Sequence, residues 1–96
     1  MNRDYELTIL LKPTLEAKDA DKEVKSLVSV IEKAGAEVIK KNDPEKKQMA
    51  YEIAKFTEAY YVYFELKMDS LKVIELETKL KLQDNIIRYL LVKKGE

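Results

Sequence analysis

Apolar and polar positions along this chain alternate with two different periods. From Tyr5 to Leu11 the sequence YELTILL alternates every residue, with Tyr5, Leu7, Ile9 and Leu11 on one face and Glu6, Thr8 and Leu10 on the other. A period of two is that of a strand, and Pro13 stands just beyond its end. An acid-rich stretch follows, with Thr14, Glu16, Asp19 and Asp21, and negative charge suits the first turn of a helix. Val24, Leu27, Val28 and Ile31 then recur at three- and four-residue spacing. The pattern predicts a helix from about Ala17 to Ala34, closed by Gly35, which takes a left-handed conformation without steric cost.

The alternation resumes at Ala36 to Lys41. The segment NDPEKK, Asn42 to Lys47, reads as a turn or bulge, because Asn, Asp and Pro interrupt regular structure. Gln48 to Lys55 is extended again, and Phe56 to Ala59 is the predicted hairpin turn. Tyr60 to Met68 carries the clearest strand pattern in the chain: Tyr60, Val62, Phe64, Leu66 and Met68 on one face, Tyr61, Tyr63, Glu65 and Lys67 on the other. Asp69 and Ser70 offer helix caps. Val73, Leu76 and Leu80, with Ile74 nearby, mark a second helix ending at Asn85, and Ile86 to Val92 is a last strand before the tail Lys93 to Glu96. The order strand–helix–strand–strand–helix–strand predicts an α+β chain with a ferredoxin-like split βαβ fold. It forms one domain over residues 1–96, a four-stranded antiparallel sheet with two helices on one face.

Such a sheet has one covered and one bare side. The more apolar rows, Tyr5 to Leu11 and Tyr60 to Met68, should face the helices, as should Tyr89 and Leu91. That leaves Leu10, Tyr61, Tyr63, Leu90 and Val92 on the bare side, rimmed by Glu6, Glu65, Lys67 and Arg88. Tyr51 can fall on either side. An apolar, aromatic patch within a charged rim is a candidate interface.

Composition narrows the chemistry. The 96 residues hold no cysteine and no histidine, which excludes disulfides, thiolate and imidazole catalysis, and the usual zinc sites. No metal site, cofactor or small-molecule substrate is expected. Apolar runs are too short for a membrane span, and the opening MNRDYE has no signal-like apolar stretch, so a soluble cytoplasmic protein is expected. The 18 basic and 18 acidic residues cancel, which argues against coating nucleic acid by bulk charge but permits a local patch.

The segments YELTILLKP, AGAEVIKK, MAYEIAK, AYYVYFELKM and ELETKLKLQDNIIRYLLVKK, taken in order and at this spacing, resemble the bacterial small-subunit ribosomal protein six family over nearly the whole chain. The more specific parts are Ala50, Tyr51, Ile53 and Lys55, and the approach to Asp84-Asn85 and Arg88. The resemblance implies the ferredoxin-like fold and a structural, non-enzymatic role on the cytoplasmic ribosome. It further implies binding to the central domain of the 16S RNA of the small (30S) subunit, as a heterodimer with small-subunit protein eighteen. The sequence departs from the family at Glu45 and Ala59, where glycines are usual, and has Lys46 and Lys47 as its basic pair there.

Ammonium groups near phosphates would supply RNA affinity. The candidates are the cluster Lys40, Lys41, Lys46 and Lys47, together with Arg3, Lys55, Arg88 and Lys93. For any one lysine a solvated surface charge is the simpler role. The partner-binding candidates are Leu10, Tyr51, Tyr61, Tyr63 and Arg88, since aromatics and arginine dominate such contacts. Two other classes share this element order. An RNA-recognition module would stack bases on sheet aromatics, but Leu10 stands where a second stacking ring belongs. An acylphosphatase-like hydrolase would need an acid–base pair or a glycine-rich phosphate cradle, and neither is evident.

Overall fold

The computed structural model describes residues 2–94. Its elements are β1 (Asn2–Leu11), α1 (Ala17–Lys33), β2 (Glu37–Lys41), β3 (Glu45–Ile53), β4 (Phe56–Asp69), α2 (Val73–Lys81) and β5 (Ile86–Lys93), with a 3₁₀ turn at Ser70–Lys72 before α2. The sheet runs β2-β4-β1-β5, and β3 also pairs with β4. All pairings are antiparallel. β2 lies along the C-terminal half of β4, at Phe64 to Lys67, and β3 along its N-terminal part. Together they fill one edge position of a four-position sheet. The expected split βαβ fold is therefore present, with its second strand broken in two at residues 42–44.

Alternation in the two central strands builds the core. Leu7 sits opposite Phe64 and Ile9 opposite Val62, and all four are fully buried. Tyr5, Leu11, Tyr60, Leu66 and Met68 complete that layer, and Ala20, Val24, Leu27 and Ile31 of α1 with Leu76 and Leu80 of α2 close over it. Tyr89 and Leu91 of β5 pack against the same cluster, as the alternation predicted. The Tyr60 hydroxyl satisfies itself by donating to the Leu15 carbonyl at 2.9 Å.

α1 ends as its sequence requires. Gly35 has φ +95°. Its N–H donates to the Glu32 carbonyl at 3.0 Å, and the Ala36 N–H donates to that of Ile31 at 3.2 Å. These two bonds form a Schellman cap, with Ile31 and Ala36 both buried beside it.

Four expectations need correction. The hairpin does not turn at Phe56–Ala59. Ile53 pairs with Phe56, and the turn is Ala54-Lys55, both left-handed at φ 52° and 71°. That is the backbone of a primed two-residue turn, whose hand matches strand twist, made here without glycine. Glu45 to Lys47, read as turn residues, begin β3 because pairing to Tyr61, Tyr60 and Ala59 claims them. The second helix stops at Lys81 rather than Asn85, and its first turn is 3₁₀, with Asp69 accepting from the Leu71 N–H at 3.0 Å. Ile74 points outward and is 77% exposed, because Leu76 and Leu80 already fill the seam on the core.

Replacing Gly35 with alanine should cost about 1–2 kcal/mol in urea unfolding, from backbone strain alone. The added Cβ would meet Lys72 side-chain carbons at 3.6 Å, an ordinary contact. Gly35→Asn should cost less, because asparagine tolerates this region.

Candidate functional site: the bare sheet face and the lysine-bordered edge

The side of the sheet away from the helices carries the expected residues. Tyr61 and Tyr63 are half-exposed, whereas Tyr60, Val62 and Phe64 between and beside them are buried. Leu90 and Val92 are 62% and 46% exposed. Register lines up Tyr61 on β4, Leu10 on β1 and Arg88 on β5 in one row across this face, and Tyr63, Thr8 and Leu90 in the next.

The β3–β4 hairpin changes what that face offers. β1 stops opposite Tyr60, so residues 56–59 of β4 run past its end. β3–β4 pairing is interrupted between Gln48 and Ile53. The arm bends back over the sheet, placing Tyr51 where the Arg88 Nη1 donates to its hydroxyl at 3.2 Å. Beneath lies a groove of about 300 Å³ walled by Leu10, Met49, Ile53, Tyr61 and Leu90. Leu10, chosen as a partner contact, is thereby left only 9% exposed, and Ala59 is fully buried. Tyr51 remains 63% exposed on the arm. The arm's contribution was missed from sequence. Met49, Tyr51 and Ile53 alternate, and that signal was there to read as an apolar face turned toward the sheet.

The lysine cluster borders the β2/β3 edge rather than forming one face. Lys40 pairs in register with Glu65 and Lys47 with Ala59, which lie on the bare side. Lys41 opposite Phe64 and Lys46 opposite Tyr60 lie on the helix side. All four are exposed. Lys46 reaches Glu58 at 4.0 Å and sits 5.6 Å from the Tyr60 ring; Lys47 reaches Glu45 at 3.8 Å and sits 5.6 Å from the Tyr61 ring. Such exposed pairs are weak and exchange readily for a phosphate. Lys55 occupies the hairpin turn, at the same end as Arg88. Arg3 and Lys93 lie at the opposite end, Arg3 paired with Met68 and Lys93 with Tyr5. Lys46, Lys47 and Lys55 thus lie toward the Arg88 end, Lys40 and Lys41 sit farther along the same edge opposite Glu65 and Phe64, and Arg3 and Lys93 lie beyond them at the other end. Neither Glu45 nor Ala59 has a positive φ, so neither position requires glycine.

A charged row closes the far end of the bare face. Lys94 Nζ donates to Glu65 at 2.8 Å, and its backbone N–H donates to the Asp4 carbonyl at 2.8 Å. The Lys94 hydrogen bond holds the Glu65 carboxyl below its usual range and, reciprocally, pushes the ammonium up. Partial desolvation, then the hydrogen bond to Glu6, raises the Tyr63 phenol. Tyr63 therefore stays a neutral donor at physiological pH.

Fold and site together define a split βαβ protein with one bare, aromatic sheet face and a lysine-bordered edge. The family described as ribosomal protein S6 matches residues 4–93. The small ribosomal subunit protein bS6 of Moorella thermoacetica is 37% identical over 94 residues, covering 98% of this chain and 96% of its own length. That of Heliobacterium modesticaldum is 35% identical, covering 98% of each. The crystal structure of 30S ribosomal protein S6 from Thermotoga maritima superposes with a TM-score of 0.90 at 24% identity, over 98% of this chain and 89% of that one. The chain belongs to the ribosomal protein S6 family, and so to the structural, non-enzymatic proteins of the small ribosomal subunit.

Two measurements test this geometry. A carbon-detected titration should place the Glu65 midpoint below the ordinary 4.5, and Lys94→Ala should return it toward that value. A depressed carboxyl contributes stability above its unfolded pKa and loses it as pH falls through the folded value. The raised Lys94 contributes below its unfolded pKa and loses its share as pH rises through the folded one, so this tie holds across neutral pH. Tyr51→Phe, which removes only the hydroxyl bonded to Arg88, should speed amide exchange in residues 49–55 and leave the core amides unchanged.

Proposed function

We propose that the chain binds the central domain of the 16S ribosomal RNA as a heterodimer with small-subunit protein eighteen, and that the partner docks on the bare sheet face. The observation that carries this reading is that Tyr61, Tyr63, Leu90 and Arg88, in two neighbouring rows, keep exposed surface on a fold whose other side is filled by helices. Membership of the ribosomal family supports the RNA as target. The partner's anchors would meet Tyr61, Tyr63, Tyr51 and Arg88. Leu10 contributes as the floor of the groove beneath the hairpin arm, open to a partner that lifts Tyr51 off Arg88.

RNA contacts then fall to the β2/β3 edge. Lys40 and Lys47 on one side of it and Lys41 and Lys46 on the other can straddle a phosphate backbone, with Lys55 and Arg88 continuing the positive track at the hairpin end. Ammonium groups act there as point charges that position RNA without reading bases. With a net charge of zero, the chain alone binds weakly, and a basic partner supplies the remaining charge.

In calorimetric titration with protein eighteen, Tyr61→Ala and Arg88→Ala should each weaken the heterodimer by about 1–2 kcal/mol. Unchanged affinity in both would place the partner elsewhere. For the heterodimer on central-domain RNA, changing Lys40, Lys41, Lys46 and Lys47 to glutamine should lower the salt slope by about 1 for each phosphate that is no longer neutralised.

A further inference from the structure

The two edges of the sheet are protected unequally. The β2/β3 edge is broken at residues 42–44 by Pro44, has a bulge between Val38 and Lys40, and bears four lysines. Each is a device that discourages another strand from pairing there. β5, at the other edge, runs eight residues from Ile86 to Lys93 without proline and with Arg88 and Lys93 as its charges.

The register shows which peptide groups this edge presents. The Lys94 N–H donates to the Asp4 carbonyl, one position beyond the Tyr5–Lys93 pair. Antiparallel pairs alternate between bonded and non-bonded, so Val92, Leu90 and Arg88 also bond inward to Glu6, Thr8 and Leu10. The N–H and C=O groups of Tyr89 and Leu91 consequently point away from β1, into solvent.

We propose that this edge pairs with β5 of a second copy of the chain, antiparallel, about a two-fold axis at Leu90. Tyr89 then bonds to Leu91 of the second copy, and the converse, making four main-chain hydrogen bonds. On the bare face Leu90 meets its own equivalent, and Arg88 lies opposite Val92. The register sets no like charges opposite one another. It gives the exposed Leu90 and Val92 an apolar or aliphatic neighbour, and a net charge of zero leaves no long-range repulsion between copies. Shifting the axis to Leu91 would oppose Arg88 to Lys94, a like-charge pair, which selects against that alternative. The pairing uses the edge and leaves Tyr51, Tyr61 and Tyr63 uncovered, but it takes up Leu90 and Arg88, which the proposed heterodimer also uses, so the free chain is the state in which it forms.

The test is sedimentation equilibrium of the chain alone, with L90K and L90E variants. Leu90 is exposed, so neither substitution disturbs the core, and circular dichroism checks this. The wild type should move from one-chain to two-chain mass as concentration rises, while Tyr89 and Leu91 amides gain exchange protection. Each variant alone should associate less, because identical charges then meet at the axis. A one-to-one mixture should associate about three- to tenfold more tightly than either variant by itself. One-chain mass for the wild type at every concentration overturns the proposal. So does a mixture no tighter than its components, or L90E alone dimerising better than the wild type, which would mean Leu90 faces Arg88 instead.

Discussion

The rest of the structure depends on the burial of one face of β1 and β4 where they pair. Leu7 against Phe64 and Ile9 against Val62 form a dry seam at the centre of the sheet, and both helices close over it. Side chains in a strand alternate with a period of two. A one-residue slip of either strand would therefore drive this entire row into solvent and put Thr8, Tyr63 and Glu65 under the helices. The seam thus fixes register, and register fixes everything on the reverse side. Tyr61 and Tyr63 are displayed because Val62 and Phe64 are not.

The same constraint explains why the bare face is a composite. β4 is fourteen residues long and β1 ten, and the excess of β4 has no central neighbour to pair with. Paired to β3 and bent by a left-handed turn, this excess becomes an arm that folds back over the row Tyr61–Leu10–Arg88. A single exposed hydrogen bond from Arg88 and the apolar contacts around Leu10 hold it there. Neither is strong in water, so the arm belongs to the least stable part of the fold, the part from which binding elements are drawn. Ala59 is fully buried below it, which accounts for a small residue at that position without any demand for positive φ.

Wherever one side of an element was covered, the sequence was readable. The bounds of α1, the Gly35 cap, the inward rows of β1 and β4 and the inward Tyr89 and Leu91 all follow from burial acting with a fixed period. The misreadings fall where burial is weak. Ala54-Lys55 turns the chain with no glycine to announce it, and Glu45 to Lys47 look like loop yet are held by pairing to β4 alone. Ile74 shows the limit of helical spacing, since a nine-residue helix needs only Leu76, Leu80 and part of Val73 to reach the core. Leu10 lies on the expected face, but no local pattern says that a segment forty residues later will lie across it.

Charge follows the same logic at the edges. Zero net charge conceals an uneven distribution: the broken edge holds Lys40, Lys41, Lys46 and Lys47, whereas the β5 edge is largely apolar. On the proposed reading, lysines on an edge serve two purposes in one stroke. They deter strand addition, which costs dehydration of ammonium groups, and they present those same groups to phosphates, which need no strand pairing. Lys46 and Lys47 lean on Glu58, Glu45 and the rings of Tyr60 and Tyr61 in the free chain. Exchanging a weak carboxylate partner for a phosphate costs little, so these pairs do not oppose the proposed RNA contact. On the proposed reading, an edge that repels strands and attracts phosphate, beside a bare aromatic face, would keep the two kinds of partner apart on one small sheet.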